Sequence, residues 1–208
     1  MSKAATQVLA GQSRLLEWAK EAAVVMGASL FVALCARVTV PLPFTPVPLT
    51  LQNFGVLAVA LAFGSRRGFA ALALYVAEGA VGLPVFNAAG PGGIAQILGA
   101  TGGFLMAYPF VALVTGWIYE RTSSPQNAQT RRVPRTPASR GFGWAVLACL
   151  AGEILLFAGG LAWLFVLTHS LAQTIRWGLY WFVFAEVIKI MLAAAVAGRW
   201  SRSFSGGV

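Results

Sequence analysis

Apolar stretches of roughly 15 to 25 residues recur along this chain, most of them long enough to cross about 30 Å of hydrocarbon at about 1.5 Å per residue. No other feature restricts the fold as much. Hydrophobic residues make up 58% of the sequence and charged residues 10%, whereas a soluble domain carries about 25% charge. Water-exposed surface needs charge, and this chain has too little to cover itself. The expected fold is therefore all-α, a polytopic membrane protein with six transmembrane helices in one bundle. Its 208 residues suit a single integral membrane domain, 1–208, with no room for a separate soluble one.

The six spans are expected at about 21–36, 47–63, 69–83, 101–119, 142–168 and 179–197. A polar segment, 120–140, rich in Ser, Thr, Pro and Arg, is expected to be a flexible cytoplasmic loop. Residues 1–20 carry Lys3, Arg14, Glu17 and Lys20 with no uninterrupted apolar core, so they do not resemble a cleaved signal peptide. The first span is expected to stay in the mature chain.

The net charge of +9 raises the question of nucleic acid, but its placement argues against that partner. Lys3, Arg14 and Lys20 precede the first span. Arg66 and Arg67 follow the second, and Arg121, Arg131, Arg132, Arg135 and Arg140 follow the fourth. Arg199 and Arg202 end the chain. These twelve fall on one side of a six-span bundle, against Arg37 and Arg176 at loop edges on the other. Such a bias puts both termini and the Arg-rich loop in the cytoplasm.

The outer connections differ in kind. VTVPLPFTPVPLT holds Pro41, Pro43, Pro46 and Pro48, each of which removes a backbone donor and fixes one dihedral. This segment is expected to be extended and stiff. The second, LPVFNAAGPGGIAQILGATGG, is apolar, Gly-rich and uncharged. Non-helical backbone of that kind is tolerated near a membrane where protein buries it or where it lines a cavity. The pair is expected to form a structured cap over an outward-facing site.

Glu186 and Lys189 lie within the last apolar run, WFVFAEVIKIMLAAAV. An ionisable group in the bilayer centre costs several kcal/mol unless it is paired or faces a cavity. Three residues apart, the two share one helix face, either as a ligand-binding pair or as a self-cancelling ion pair. Glu153 falls near the middle of span five and is a candidate for the cavity wall, and Glu78 falls near the outer end of span three. Asn53 and Asn87 stand at outer positions where amides orient ligands or satisfy loop backbone. Gln52 is a weaker candidate of the same kind. In span one, Ala23 with Gly27 and Ser29 with Ala33 place small residues four apart, which admits close approach of another helix. Cys35 and Cys149 fall in apolar runs as small packing residues. His169 is expected at the surface, and no Walker loop, GxSxG elbow or Cys/His cluster is present. From the residues alone, the chain is a membrane binding protein or transporter for a small ligand.

Four segments in order are similar to one known family. They are VPLPFTPVPLTLQNFGVL (40–57), GSRRG (64–68), GLPVFNAAGPGGIAQILGATGGF (82–104) and FAEVIK (184–189). The chain resembles BioY, the biotin-specific substrate-capture subunit of energy-coupling-factor (ECF) transporters. In that family the last motif typically reads Pro-Gly-Asp-x-x-Lys. Here Phe184 and Ala185 stand at the Pro and Gly positions, Glu186 stands for Asp, and Lys189 matches.

The resemblance implies six helices in a bacterial cell membrane, with biotin bound near the outer face as ligand and no cofactor. It also implies a transmembrane coupling subunit and a pair of cytoplasmic ATPases as partners, with ATP hydrolysis left to the latter. The small residues Ala23, Gly27, Ser29 and Ala33 become a candidate docking face for the coupling subunit. Biotin offers a ureido head, a thioether and a carboxylate tail. Glu186 can accept from ureido N–H, and Lys189 can donate to the ureido oxygen or pair with the tail. Asn53, Asn87 and Glu153 can complete the polar set, with Phe86 and Tyr108, and also Phe44 and Trp163, as candidate walls. Competing readings are a capture subunit for another vitamin, a membrane enzyme and an assembly protein.

Overall fold

Strong helix formers dominate residues 3–20, KAATQVLAGQSRLLEWAK, and the first helix begins among them rather than near residue 21. The computed structural model describes residues 3–123 and 137–205, with side chains within 14–122 and 141–198. Helix α1 runs Lys3–Arg37. Strands β1 (Thr39–Val40) and β2 (Leu49–Thr50) pair antiparallel, Thr39 opposite Thr50 and Val40 opposite Leu49. Then follow α2 (Gln52–Ala80), α3 (Gly93–Leu98), α4 (Gly102–Ser123), α5 (Pro137–Thr168), α6 (Leu171–Gly178) and α7 (Val183–Ser205).

Helix α2 is broken at Gly64, whose φ of 79° and ψ of −175° are not helical. A positive φ is accessible to glycine at no steric cost. Gln52 Nε2 donates to Tyr75 Oη at 2.8 Å, although a straight helix would hold these residues about 34 Å apart. The chain therefore folds back at Gly64, and arms 52–63 and 65–80 lie side by side. Glu120 of α4 clamps the reversal. Its carboxylate accepts from Ser65 N and Ser65 Oγ, both at 2.8 Å, which caps the start of the second arm.

Among the described residues, four helices are long and apolar enough to cross a membrane, and α6 with α7, bent by 43°, makes a fifth if the pair is one span. That count differs from the six expected because both arms belong to one helix. Other boundaries shift as well. Helix α4 extends through Glu120 to Ser123 and α5 starts at Pro137, so both ends of the expected 120–140 loop are helical. The rest of that loop, with Arg131, Arg132 and Arg135, lies outside the described residues. The Gly-rich outer connection contains α3, and α6 interrupts the approach to the last span; neither was expected.

The core is built where α2 packs against α1 and α4, and α4 against α5. Val32, Val56, Leu57, Leu72, Tyr75, Val111, Ala112 and Cys149 are buried there. Outward, large apolar side chains such as Leu30, Leu34, Phe110, Ile154 and Ile188 are exposed. An apolar exterior of this extent suits a hydrocarbon surround rather than water. His169 is exposed at the α5–α6 junction with a φ of 49°.

Candidate functional site

The first residues of α2, the middle of α5 and the first turns of α7 converge below the β1–β2 loop. Glu186 lies in the first turn of α7, where the helix dipole favours a carboxylate. The helix starts at Val183 although Phe184 and Ala185 replace Pro and Gly, so that start does not depend on them. One turn on, Lys189 Nζ donates to Glu186 Oε1 at 2.8 Å. Both residues are more than nine-tenths buried. Across the bundle, Asn53 Nδ2 donates to Glu186 Oε2 at 2.6 Å and to Glu153 Oε1 at 2.5 Å. Four polar groups from three helices thus form one buried chain, Lys189–Glu186–Asn53–Glu153.

Beside it opens a cleft of about 530 Å³, counting the open space at its mouth. Lys189, Glu186, Asn53, Asn87 and Tyr108 line it, as expected from sequence. Gln52, the weaker candidate, lines it too. Phe104, Leu105, Leu156, Phe157 and Phe182 form most of the apolar wall. These phenylalanines carry no signal among fourteen in the chain; only their convergence marks them. Oδ1 of Asn53 and Oδ1 of Asn87 are buried without a hydrogen-bond partner among the described residues. A buried polar atom left unpaired costs about 1–3 kcal/mol, which a ligand donor would recover.

Two candidates stand behind the cleft rather than in its lining. Glu153 touches it through Asn53. Phe86 is buried against Tyr75, ring centroids 5.5 Å apart, and its ring lies where a side chain at Gly79 would go. Phe44 instead pairs with Trp181 at 4.2 Å, and Trp163 donates to Gly99 O at 2.9 Å. Glu78 accepts from Ser29 Oγ at 2.5 Å. The four small residues of α1 do not share a face: Ala23 and Gly27 are exposed, whereas Ser29 and Ala33 are buried in the bundle.

The outer connections close the top. Thr45 Oγ1 donates to Trp177 O at 2.7 Å, tying the β1–β2 loop to α6. Val47 packs with Leu164 and Phe182. Tyr75 Oη donates to Val85 O at 3.0 Å, and Arg37 donates to Pro84 O, which anchors the segment carrying Asn87.

An all-helical bundle with an apolar exterior and one capped cleft, polar at its base and apolar at its walls, defines a membrane protein that captures a small polar ligand. The sequence matches the BioY family over residues 3–206, and the chain belongs to that family. It is 34% identical over 160 residues to the biotin transporter BioY of Thermotoga maritima, covering 77% of this chain and 84% of that one. It is 32% identical over 168 residues to the biotin transporter BioY of Rhizobium etli, covering 80% and 84%. The fold is similar to the crystal structure of an S-component for biotin from an ECF-type ABC transporter. The TM-score is 0.74, at 22% identity over 89% of this chain and 93% of that one. The membership expected from the four sequence segments is borne out.

Proposed function

We propose that this chain binds biotin in the cleft and serves as the substrate-capture subunit of an ECF transporter in the bacterial cell membrane. The observation that carries the reading is the match of polar groups. Biotin's ureido head brings two N–H donors and one carbonyl acceptor. The cleft offers unpartnered acceptors on Asn53 and Asn87 and a donor on Lys189. The relatives named biotin transporter BioY support the same ligand.

In this reading the membrane is crossed six times, by α1, the two arms of α2, α4, α5 and the α6–α7 pair. Both termini are cytoplasmic, in keeping with the twelve Lys and Arg residues that then share that side. The arms 52–63 and 65–80 are about 18 Å and 24 Å long, shorter than the hydrocarbon, so the bilayer thins around them or their ends reach only part way. The transmembrane coupling subunit docks on α1, with Ala23 and Gly27 offered outward. Cytoplasmic ATPase subunits supply the energy, and this chain catalyses nothing itself.

Isothermal titration of biotin into the detergent-purified protein tests the reading. Tight binding is expected, weakened about a hundredfold in Lys189→Ala, on the order of 3 kcal/mol for a buried carboxylate that loses its cationic partner. Wild-type affinity in that variant removes Lys189 from the site. No binding to the wild type rejects biotin as the ligand.

A further inference from the structure

Asn53 is held by two carboxylates at once. Its Nδ2 donates to Glu153 Oε1 and Glu186 Oε2, which uses both amide hydrogens. A side-chain amide has two orientations that exchange oxygen and nitrogen. Turned the other way, Asn53 Oδ1 would stand 2.5 and 2.6 Å from two carboxylate oxygens, acceptor against acceptor. The constraint from Glu153 holds while the oxygen it turns to Asn53 carries no proton. The orientation with Oδ1 turned away from both carboxylates is therefore enforced. That oxygen is buried and unpartnered, on a residue that lines the cleft and is 4% exposed.

Gln52, next in sequence, is constrained in the same manner. Tyr75 Oη gives its single proton to Val85 O, so toward Gln52 it can only accept. Gln52 must then present Nε2 to it, as it does at 2.8 Å. Two neighbouring amides of the cleft wall thus have their direction set by Glu153, Glu186 and Tyr75, of which only Glu186 lines the cleft.

We propose that Glu153 is a positioning residue that sets the cleft's selectivity for ligand N–H. Together with Glu186 it holds Asn53 so that the amide offers the ligand an acceptor and never a donor. The inference rests on the reading of the cleft as a biotin site. A ligand with N–H facing Asn53 completes the unpaired oxygen. One with an isosteric ring oxygen there meets it oxygen to oxygen and is rejected. Sites built to hydrogen-bond a ligand N–H discriminate strongly against analogues that lack it.

The test compares biotin with its two cyclic-carbamate analogues, in each of which one ureido N–H is replaced by a ring oxygen. Affinities are measured for the wild type, Glu153→Met, Glu153→Leu and Glu153→Asp, each checked for folding by its melting transition in detergent. The wild type is expected to prefer biotin roughly 100-fold over the carbamate whose oxygen faces Asn53. In Glu153→Met, where one of two constraints is gone, that preference falls roughly tenfold, while discrimination against the other carbamate is unchanged. Glu153→Leu gives the same narrowing and serves if the Met variant does not fold. Glu153→Asp keeps an acceptor and keeps the preference. Equal loss of affinity for all three ligands, with the preference intact in both release variants, overturns the proposal, because Glu153 is then only structural. Absence of biotin binding in the wild type overturns the reading beneath it instead. Tight biotin binding with an unaltered preference sinks the positioning role alone.

Discussion

Two concavities lie on this bundle, and they differ in what lines them. The cleft beneath the β1–β2 loop gathers Asn53, Asn87, Glu186 and Lys189. The groove between α4 and α5, about 790 Å³ counting open space, is lined by Gly103, Met106, Ala107, Phe110, Leu155, Gly159, Ala162, Trp163 and Val166. Nothing in the groove fixes the orientation of an occupant. In a membrane an apolar groove costs nothing to keep, because acyl chains fill it as well as side chains do. A buried cluster of two carboxylates, an ammonium and two amides is costly there. Shape alone would rank the groove first; the cost of buried polarity ranks the cleft.

The contrast can be tested by substitutions of decreasing effect. Removing charge is expected to matter most: Glu186→Ala leaves Lys189 buried without its partner, and titration calorimetry is expected to show biotin binding about a hundredfold weaker. Gly79→Val comes next. Its side chain must enter the space of the Phe86 ring, and overpacking of this kind costs about 1–3 kcal/mol. A lower melting temperature is expected, with biotin binding at least roughly tenfold weaker, because Asn87 adjoins Phe86. Tyr75→Phe removes only the hydroxyl that joins Gln52 to Val85. A loss of about fivefold to tenfold in affinity, seen mainly as faster release in a stopped-flow chase, is expected. In the groove, Ala162→Leu fills apolar space and touches no polar group. Affinity within about twofold of wild type is expected, and a larger loss would mean that the two concavities communicate through α5.

The difference also explains what was legible in the sequence. Glu186 and Lys189 stood out because ionisable residues inside an apolar run have few structural explanations. Asn53 and Asn87 stood out less, since amides at helix ends and in loops have ordinary uses. That Asn53 joins Glu153 to Glu186 was not legible, because those partners are 100 and 133 residues distant in the chain. The order of the main helices and the basic loops at 64–68 followed from hydropathy and charge. Helices α3 and α6 did not, because eight residues or fewer give too short a window for a period to emerge. The early start of α1 escaped because Lys3–Lys20 is helical by propensity rather than by hydropathy. The face of α1 taken by Ser29 is set by Glu78, on an arm that only the reversal at Gly64 brings alongside.

The ion pair of the cleft is carried by one helix, three residues apart, whereas the amide that touches it belongs to another. Were α7 to slide or tilt against α2, Lys189 would travel with Glu186 and the neutral pair would cross the rearrangement whole. Asn53 would stay with α2, so the polar contact to part would be an amide-to-carboxylate hydrogen bond. A parting along that seam would leave the Glu186–Lys189 ion pair intact rather than strand one of its charges in oil.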